Sequence, residues 1–431
     1  MLYSNLSVND AGHLCIAGID VCELAATYGT PLYVLDEDRV RQNCRTYVEA
    51  MKKYLPEGSY PLFASKTLCF RGIYPIVQSE GTGADVVSAG EIATALAAGF
   101  PADKLFFHGS NKTDAEIAYG VEQGVGCFVV DNADELATLA REAQAHGIVQ
   151  KVLLRITVGL DPHTLAAINT GKVDSQFGVP IETGQALAFV RQAVSTDGVE
   201  VLGFHSHIGS QIFEATSFCD QVDRLLAFAC EVRDELGFVA GTFNLGGGFA
   251  VPYVETDPRI DIAANIEAIA EHLQAGCERS GYPLPRVLME PGRSLVADAG
   301  VTLYSAGRIK TIEGYRSYVM VDGGMTDNPR YALYKSAYTV INASRANAPA
   351  DFVCTIAGRC CESGDRIAED VSIARPEHDD VIAVLTTGAY NFAMSSNYNR
   401  VLRPALVVIA NGQARVAVRR QTIDDLLALE A

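Results

Sequence analysis

Four stretches of this chain carry residue types that could do chemistry. An apolar run, Tyr60-Pro61-Leu62-Phe63-Ala64, ends in Ser65-Lys66. An ammonium at the exit of a buried strand is costly unless it is paired or neutralised. A desolvated lysine amine is also the group that condenses with a carbonyl. Lys66 therefore reads as a covalent anchor for an aldehyde, or as a lysine that snorkels out to water. His205-Ser206-His207 sets two imidazoles two apart, on one side of an extended chain. That spacing suits a metal ion, or a ring stacked on an aromatic ligand. Gly246-Gly247-Gly248 lets backbone amides approach an anion closely, or simply turns the chain sharply. Glu290-Pro291-Gly292-Arg293 follows another apolar run. Its carboxylate could face the nitrogen of a heteroaromatic ring, or pair with Arg293.

The elements that must position these residues follow a rhythm. Short apolar runs occur at Leu32–Leu35, Leu62–Ala64, Ala84–Val87, Leu105–Phe107, Cys127–Val130, Val152–Ile156, Val201–Phe204, Thr242–Leu245 and Val287–Met289. Between them lie helical stretches, among them Ala89–Ala98, Thr113–Glu122, Ala133–His146, Glu182–Ser195, Phe218–Leu236 and Ile260–Gly281. Strands alternating with helices predict βαβ units and a parallel sheet. Eight or nine such units fit a closed (β/α)8 barrel, with catalytic residues at the carboxyl ends of its strands. No GxGxxG follows the first strand, which ranks an open doubly wound sheet lower. After Arg293 the texture becomes strand-like with few helices, as in Val301–Ile309, Tyr318–Asp322, Phe352–Ala357, Val381–Leu385, Ala405–Ala410 and Ala414–Arg419. The expected class is α/β. Residues 36–292 would form the barrel, and residues 1–35 with 293–431 a mainly β domain completed by the N-terminal segment.

Bulk properties exclude some partners. A net charge of −18 argues against nucleic acid, which would leave a basic footprint. No apolar run approaches the about 20 residues of a membrane span. Met1–Asp10 lacks a basic segment followed by an apolar core, so a cytoplasmic location is expected. The 11 cysteines show no CxxC spacing, which fits reduced thiols rather than a disulfide framework. A barrel metallohydrolase would want more histidines at later strands. Only His272 and His378 follow, one in a helical stretch and one in a polar loop, so no metal is expected. Gly209-Ser210, the glycine run and Gly292-Arg293 together offer anion donors at three strand exits, which points to a phosphate.

These blocks, with Gly83-Ala84-Asp85-Val86-Val87-Ser88, His207-Ile208-Gly209-Ser210-Gln211, Asp322-Gly323-Gly324-Met325, Cys361-Glu362-Ser363-Gly364-Asp365 and Gly388-Ala389-Tyr390, resemble the fold-type III pyridoxal-phosphate (PLP) decarboxylases nearly end to end. The likeness is greatest to members that act on meso-2,6-diaminopimelate. The resemblance implies that Lys66 anchors PLP, His207 stacks on its ring and Glu290 meets the ring nitrogen. Asp85 would also line the cofactor. Ser210, Gly246, Gly247, Gly248, Gly292, Arg293 and Tyr390 would hold the phosphate. Arg293, Arg330 and Tyr334 would grip the substrate's distal carboxylate, with Tyr390 and Glu362 also on the substrate. Cys361 and Glu362 would reach into the neighbouring subunit's site, making the enzyme a homodimer with shared sites. Cys361 would return a proton once carbon dioxide leaves. The implied reaction is decarboxylation of meso-2,6-diaminopimelate to L-lysine. The alternatives are another basic amino acid (D-ornithine or D-lysine, arginine, carboxynorspermidine) and a non-catalytic binding relative. The chain departs from the family pattern at Thr67-Leu68 and at Gln176, where many relatives carry a lysine that pairs with an aspartate of the partner subunit at the position of Asp365.

Overall fold

A computed structural model describes residues 2–160 and 174–431, and divides them into two compact units. One comprises residues 43–250 and 259–292, the other residues 2–42, 251–258 and 293–431. The short segment 251–258 thus groups with the second unit, although in sequence it lies inside the stretch read as barrel.

The first unit is a closed barrel of eight parallel strands: β1 (Tyr60–Ala64), β2 (Gly83–Val86), β3 (Leu105–Phe107), β4 (Cys127–Val130), β5 (Gln150–Thr157), β6 (Val199–His205), β7 (Thr242–Asn244) and β8 (Arg286–Met289). Each pairs with the next, and β8 pairs with β1 to close the ring. Alternation along the strands decides what fills it. Leu62, Phe106, Cys127, Val129, Leu153 and Leu288 form one buried apolar cluster. Two residues further along, on the same face, come Ala64, His108, Asp131, Arg155 and Glu290. Asp85 is in register with Phe106 and Ala64, His205 with Arg155, and Asn244 with His205. An apolar plug therefore carries a polar layer at the carboxyl ends of the strands.

The helices fall close to their expected places. Ala89–Ala97 starts at Ser88, whose hydroxyl accepts from the Glu91 amide, and Asp114–Glu122 carries a capping box from Thr113 and Glu116. The eighteen-residue helix Glu37–Tyr54 was not among the expected ones. Its charged composition hides an apolar stripe, Val40, Cys44, Tyr47 and Met51, spaced four, three and four and fully buried.

The second unit is built on a mixed, largely antiparallel sheet ordered Arg366–Ile373, Phe352–Ala357, Arg316–Val321, Gly300–Ile312, Leu32–Asp36, Ala405–Ala410 and Gln413–Val418. Val381–Leu385 also pairs with Gly300–Ile312. The run Leu32–Leu35 therefore belongs here, which leaves eight strands for the barrel. Leu14, Ile16, Val21 and Leu24 pack from the N-terminal segment into the core formed by Leu32, Val34, Leu303, Leu385 and Val407. All 11 cysteines are free, and no helix among the described residues is long and apolar enough to cross a membrane.

Candidate active site

The polar layer of the barrel gathers charge in a buried interior. Glu290 is buried and offers both oxygens. His108 Nε2 lies 2.7 Å from Oε1, Asn244 Nδ2 donates to Oε1 at 2.6 Å, and His205 Nε2 lies 3.2 Å from Oε2. Burial alone would raise this carboxyl. The two imidazoles outweigh it and hold Glu290 well below the usual carboxylate range. The same burial pushes His205 down to about 4, so it is neutral at pH 7 and donates from Nε2. His207, half-buried, is also held well below its usual value, by burial and then by the Lys66 and Arg155 cations. Asp85 goes the other way. It is buried, its Oδ1 has no hydrogen-bond partner among the described residues, and burial raises it despite His108.

Lys66 sits in a single 3-10 turn, Ser65–Thr67, directly after β1. Thr67 Oγ1 donates to Ala64 O at 2.7 Å and Tyr74 donates to Ser65 Oγ at 3.0 Å, which fixes the turn from both sides. Ser65 and Thr67 are buried and Lys66 is exposed. That exposure fits either reading of Lys66, an amine open to a ligand or one that snorkels to water.

The glycine run forms the exit of β7. Gly246 has φ +67°, and a Cβ at Gly247 would fall 2.2 Å from the Glu290 carbonyl. No side chain fits there. The Glu290 amide donates to Gly246 O at 2.8 Å, and Ile212 N to Gly248 O at 3.0 Å. The loops after β6, β7 and β8, with Ser210 in the first, are thereby stitched together. An aldehyde-reactive amine, an anionic carboxylate, a neutral imidazole and a side-chain-free backbone loop together fit a phosphorylated pyridine aldehyde. The atoms of His108, His205 and Glu290 also lie within 4.8 Å of one another, close enough for a metal ion. The contacts between the imidazoles and the carboxylate account for that clustering without one.

The second unit holds a different cluster. Arg293 is buried and donates from Nη1 to the Tyr253 hydroxyl at 2.7 Å. Its guanidinium lies 5.0 Å from the Tyr390 ring centre, and that of Arg330 lies 5.2 Å from the same ring and 5.1 Å from Tyr334. Arg330 is only 6% exposed, yet its Nε has no partner among the described residues, and its Nη2 donates to Ser336 Oγ at a long 3.5 Å. Tyr338 stands edge-on to Tyr253 at 5.3 Å. Cys361 and Glu362 are exposed on the loop before Asp365. Asp365 is buried and accepts the amides of Met325 at 2.6 Å and Cys360 at 2.7 Å. It therefore braces the Cys361 loop within its own chain, and the exposed Gln176 gives it no cation partner.

Sequence reasoning singled out Lys66, Asp85, His207 and Glu290 on the barrel, and Arg293, Arg330, Tyr334 and Tyr390 on the second unit. Each set falls within one unit. It passed over His108, Arg155 and Asn244 and placed His205 merely near the core. Their signal was the two-residue alternation along β3, β5, β6 and β7. Tyr253 and Tyr338 carried no local signal.

Comparison with known proteins agrees with this chemistry. Residues 38–297 match the pyridoxal-binding domain of the pyridoxal-dependent decarboxylases. The chain belongs to that family, whose cofactor is PLP. Over its whole length it is 41% identical to diaminopimelate decarboxylase of Bacillus subtilis, covering 98% of that protein. It is 38% identical to the same enzyme of Mycobacterium leprae, over 99% of this chain and 91% of that one. The crystal structure of diaminopimelate decarboxylase from M. jannaschii in complex with L-lysine superposes with a TM-score of 0.91 at 33% identity, covering 99% of this chain and 98% of the other.

Proposed function

We propose that this chain decarboxylates the D-configured centre of meso-2,6-diaminopimelate and releases L-lysine and carbon dioxide. Beyond the similarity to such enzymes, one observation carries the substrate: Arg330, a buried guanidinium packed on tyrosine faces, with no carboxylate paired to it among the described residues. A buried guanidinium fork without a counterion suits a planar carboxylate. A substrate ending in an amine alone would not need it.

PLP, when bound, supplies an electron sink for the pair left behind as carbon dioxide departs. The chain does the rest. Lys66 would hold the cofactor aldehyde through its amine. Glu290, held anionic, would accept a hydrogen bond from the protonated ring nitrogen and keep the proton there. His207, held neutral, stacks without adding charge. Ser210, Gly246, Gly247, Gly248, Gly292 and Arg293, with Tyr390, bind the phosphate. Arg293, Arg330 and Tyr334 bind the distal carboxylate. Cys361 delivers a proton to the carbon that lost its carboxylate, and Glu362 orients the substrate. The exposed Cys361 loop serves the partner's site, so the working form is a homodimer in the cytoplasm.

The test is product analysis. Purified protein with PLP is incubated in parallel with meso-diaminopimelate, D- and L-lysine, D- and L-ornithine, and arginine. Lysine formed from diaminopimelate alone supports the proposal. Turnover of a basic amino acid in its place overturns the substrate assignment and leaves the family and Lys66 standing.

A further inference from the structure

Two buried carboxylates share the polar layer of the barrel and are treated in opposite ways. Asp85 has no donor on Oδ1. Glu290 has three groups aimed at it, each from a different strand end: His108 after β3, His205 closing β6 and Asn244 closing β7. Three contacts on one carboxylate and none on one oxygen of its neighbour are a selective arrangement, not a general solvation of the barrel.

The donors are themselves fixed. Asn244 Oδ1 accepts the Gly246 amide at 2.9 Å, which leaves its amide nitrogen toward Glu290. His205 Nδ1 has no partner, as suits a neutral ring whose proton is on Nε2. Glu290 is tied at its own backbone to Gly246. A carboxylate has about four acceptor directions. Asn244 takes one on Oε1 and His205 one on Oε2, while the His108 ring crowds Oε1 with Nε2 at 2.7 Å, so Oε2 is the more open oxygen for a further donor. The other charged or titratable groups that act on Glu290 include Asp85 from β2, Arg155 from β5 and His207 after β6, with Cys127 of β4 on the apolar side.

We propose that His108, His205 and Asn244 are positioning residues for Glu290, holding its carboxylate in one orientation and anionic toward the ring nitrogen of PLP. This rests on the reading of Glu290 given above. The three residues do not touch the substrate. They act by fixing which carboxylate of the layer is the charged one and where its free lone pair points.

The experiment compares two cofactors on apoprotein: PLP and its 1-deaza analogue, which has carbon in place of the ring nitrogen. Both condense with Lys66, so the ratio of their dissociation constants isolates the ring-nitrogen contact. Wild type should prefer PLP. His108→Leu and Asn244→Leu should each cut that preference about tenfold, the scale of a hydrogen bond to a charged group. His108→Gln, which keeps a donor, should restore most of it. Glu290→Gln should abolish it. A merely structural role for His108 and Asn244 would weaken both cofactors equally and leave the ratio unchanged. If Glu290→Gln loses the preference while both leucine variants keep it, the positioning proposal is overturned and the reading of Glu290 stands. If Glu290→Gln keeps the preference, the reading of Glu290 has failed. If the leucine variants do not fold, His108→Asn and Asn244→Ser, too short to reach Glu290, carry the same expectation.

Discussion

The two units handle buried charge differently. In the barrel three strong charges each meet a complementary group. Glu290 lies among two imidazoles and an amide, Lys112 is paired with Glu135 at 2.7 Å, and Arg155 faces Asp131 at 3.9 Å. In the second unit Arg293 and Arg330 are buried against tyrosine rings instead. A paired charge is tuned: its protonation state is set before any ligand arrives. A guanidinium held on aromatic faces keeps its charge and most of its donors available, so it recognises rather than tunes. On the function proposed above, the barrel would tune the cofactor ring and Arg330 of the second unit would recognise an anion.

The largest effect that could break this contrast lies at Lys66. Lys66→Ala should lower kcat by at least about 10³-fold, the scale of losing a group that acts covalently and in proton transfer. Borohydride should then fix no cofactor to the protein. Retained covalent cofactor and turnover would move the anchor elsewhere.

Next comes the cost of unpairing the barrel. Lys112 is fully buried and also donates to Gly109 O at 3.0 Å and Val129 O at 2.8 Å. Glu135→Leu leaves that cation alone and should destabilise the protein by about 3–5 kcal/mol in urea unfolding. Lys112→Met with Glu135→Leu should recover most of the loss. An equal loss in the double variant would mean that packing, not pairing, dominates.

The second unit has a buried, tuned carboxyl of its own in Asp327, which sharpens the comparison. Burial raises Asp327 from 3.8 to about 7, although Tyr304 and the Gly324 amide donate to it. The folded chain holds a proton there that the unfolded chain releases. This stabilisation is full below pH about 4 and is lost as pH rises through about 7, a change of about 4 kcal/mol at most. Asp327→Asn should flatten that slope in chemical unfolding measured from pH 4 to 8. An unchanged slope would remove Asp327 from the account.

The smallest effect belongs to the surface. Arg400 and Glu430 are each 54% exposed and lie 2.6 Å apart. Arg400→Ala should change the unfolding free energy by less than about 1 kcal/mol. A larger loss would show that the exposed pairs carry stability as well.

Much of the barrel could be read from the chain because its signals are local. Apolar runs of three to five residues, alanine-rich helices and caps such as Thr113-Asp114-Ala115-Glu116 need no distant partner. Lys66 and Glu290 stood out because charge after an apolar run is conspicuous. His108, Asn244 and Arg155 did not, because their meaning depends on barrel closure, which brings β3, β6, β7 and β8 around one carboxylate. The helix Glu37–Tyr54 was masked by its charge, though its buried stripe had the right period. Tyr253 was least legible. Its distant partners are Thr339, whose amide and hydroxyl donate to its carbonyl, and Arg293, which donates to its hydroxyl. Contacts across 40 and 86 residues leave no periodic trace.

The most direct test of the division is the substrate dependence of Arg330→Ala. Steady-state kinetics with meso-diaminopimelate and with D-lysine, which lacks the distal carboxylate, would be compared with wild type, alongside the dissociation constant for PLP. The account predicts a loss of about 30-fold or more in kcat/KM for diaminopimelate, the scale of removing one partner of a buried charge pair. It predicts little change in any residual rate with D-lysine and none in PLP affinity. Equal losses on both substrates, or a parallel loss of PLP binding, would contradict the assignment of carboxylate recognition to the second unit.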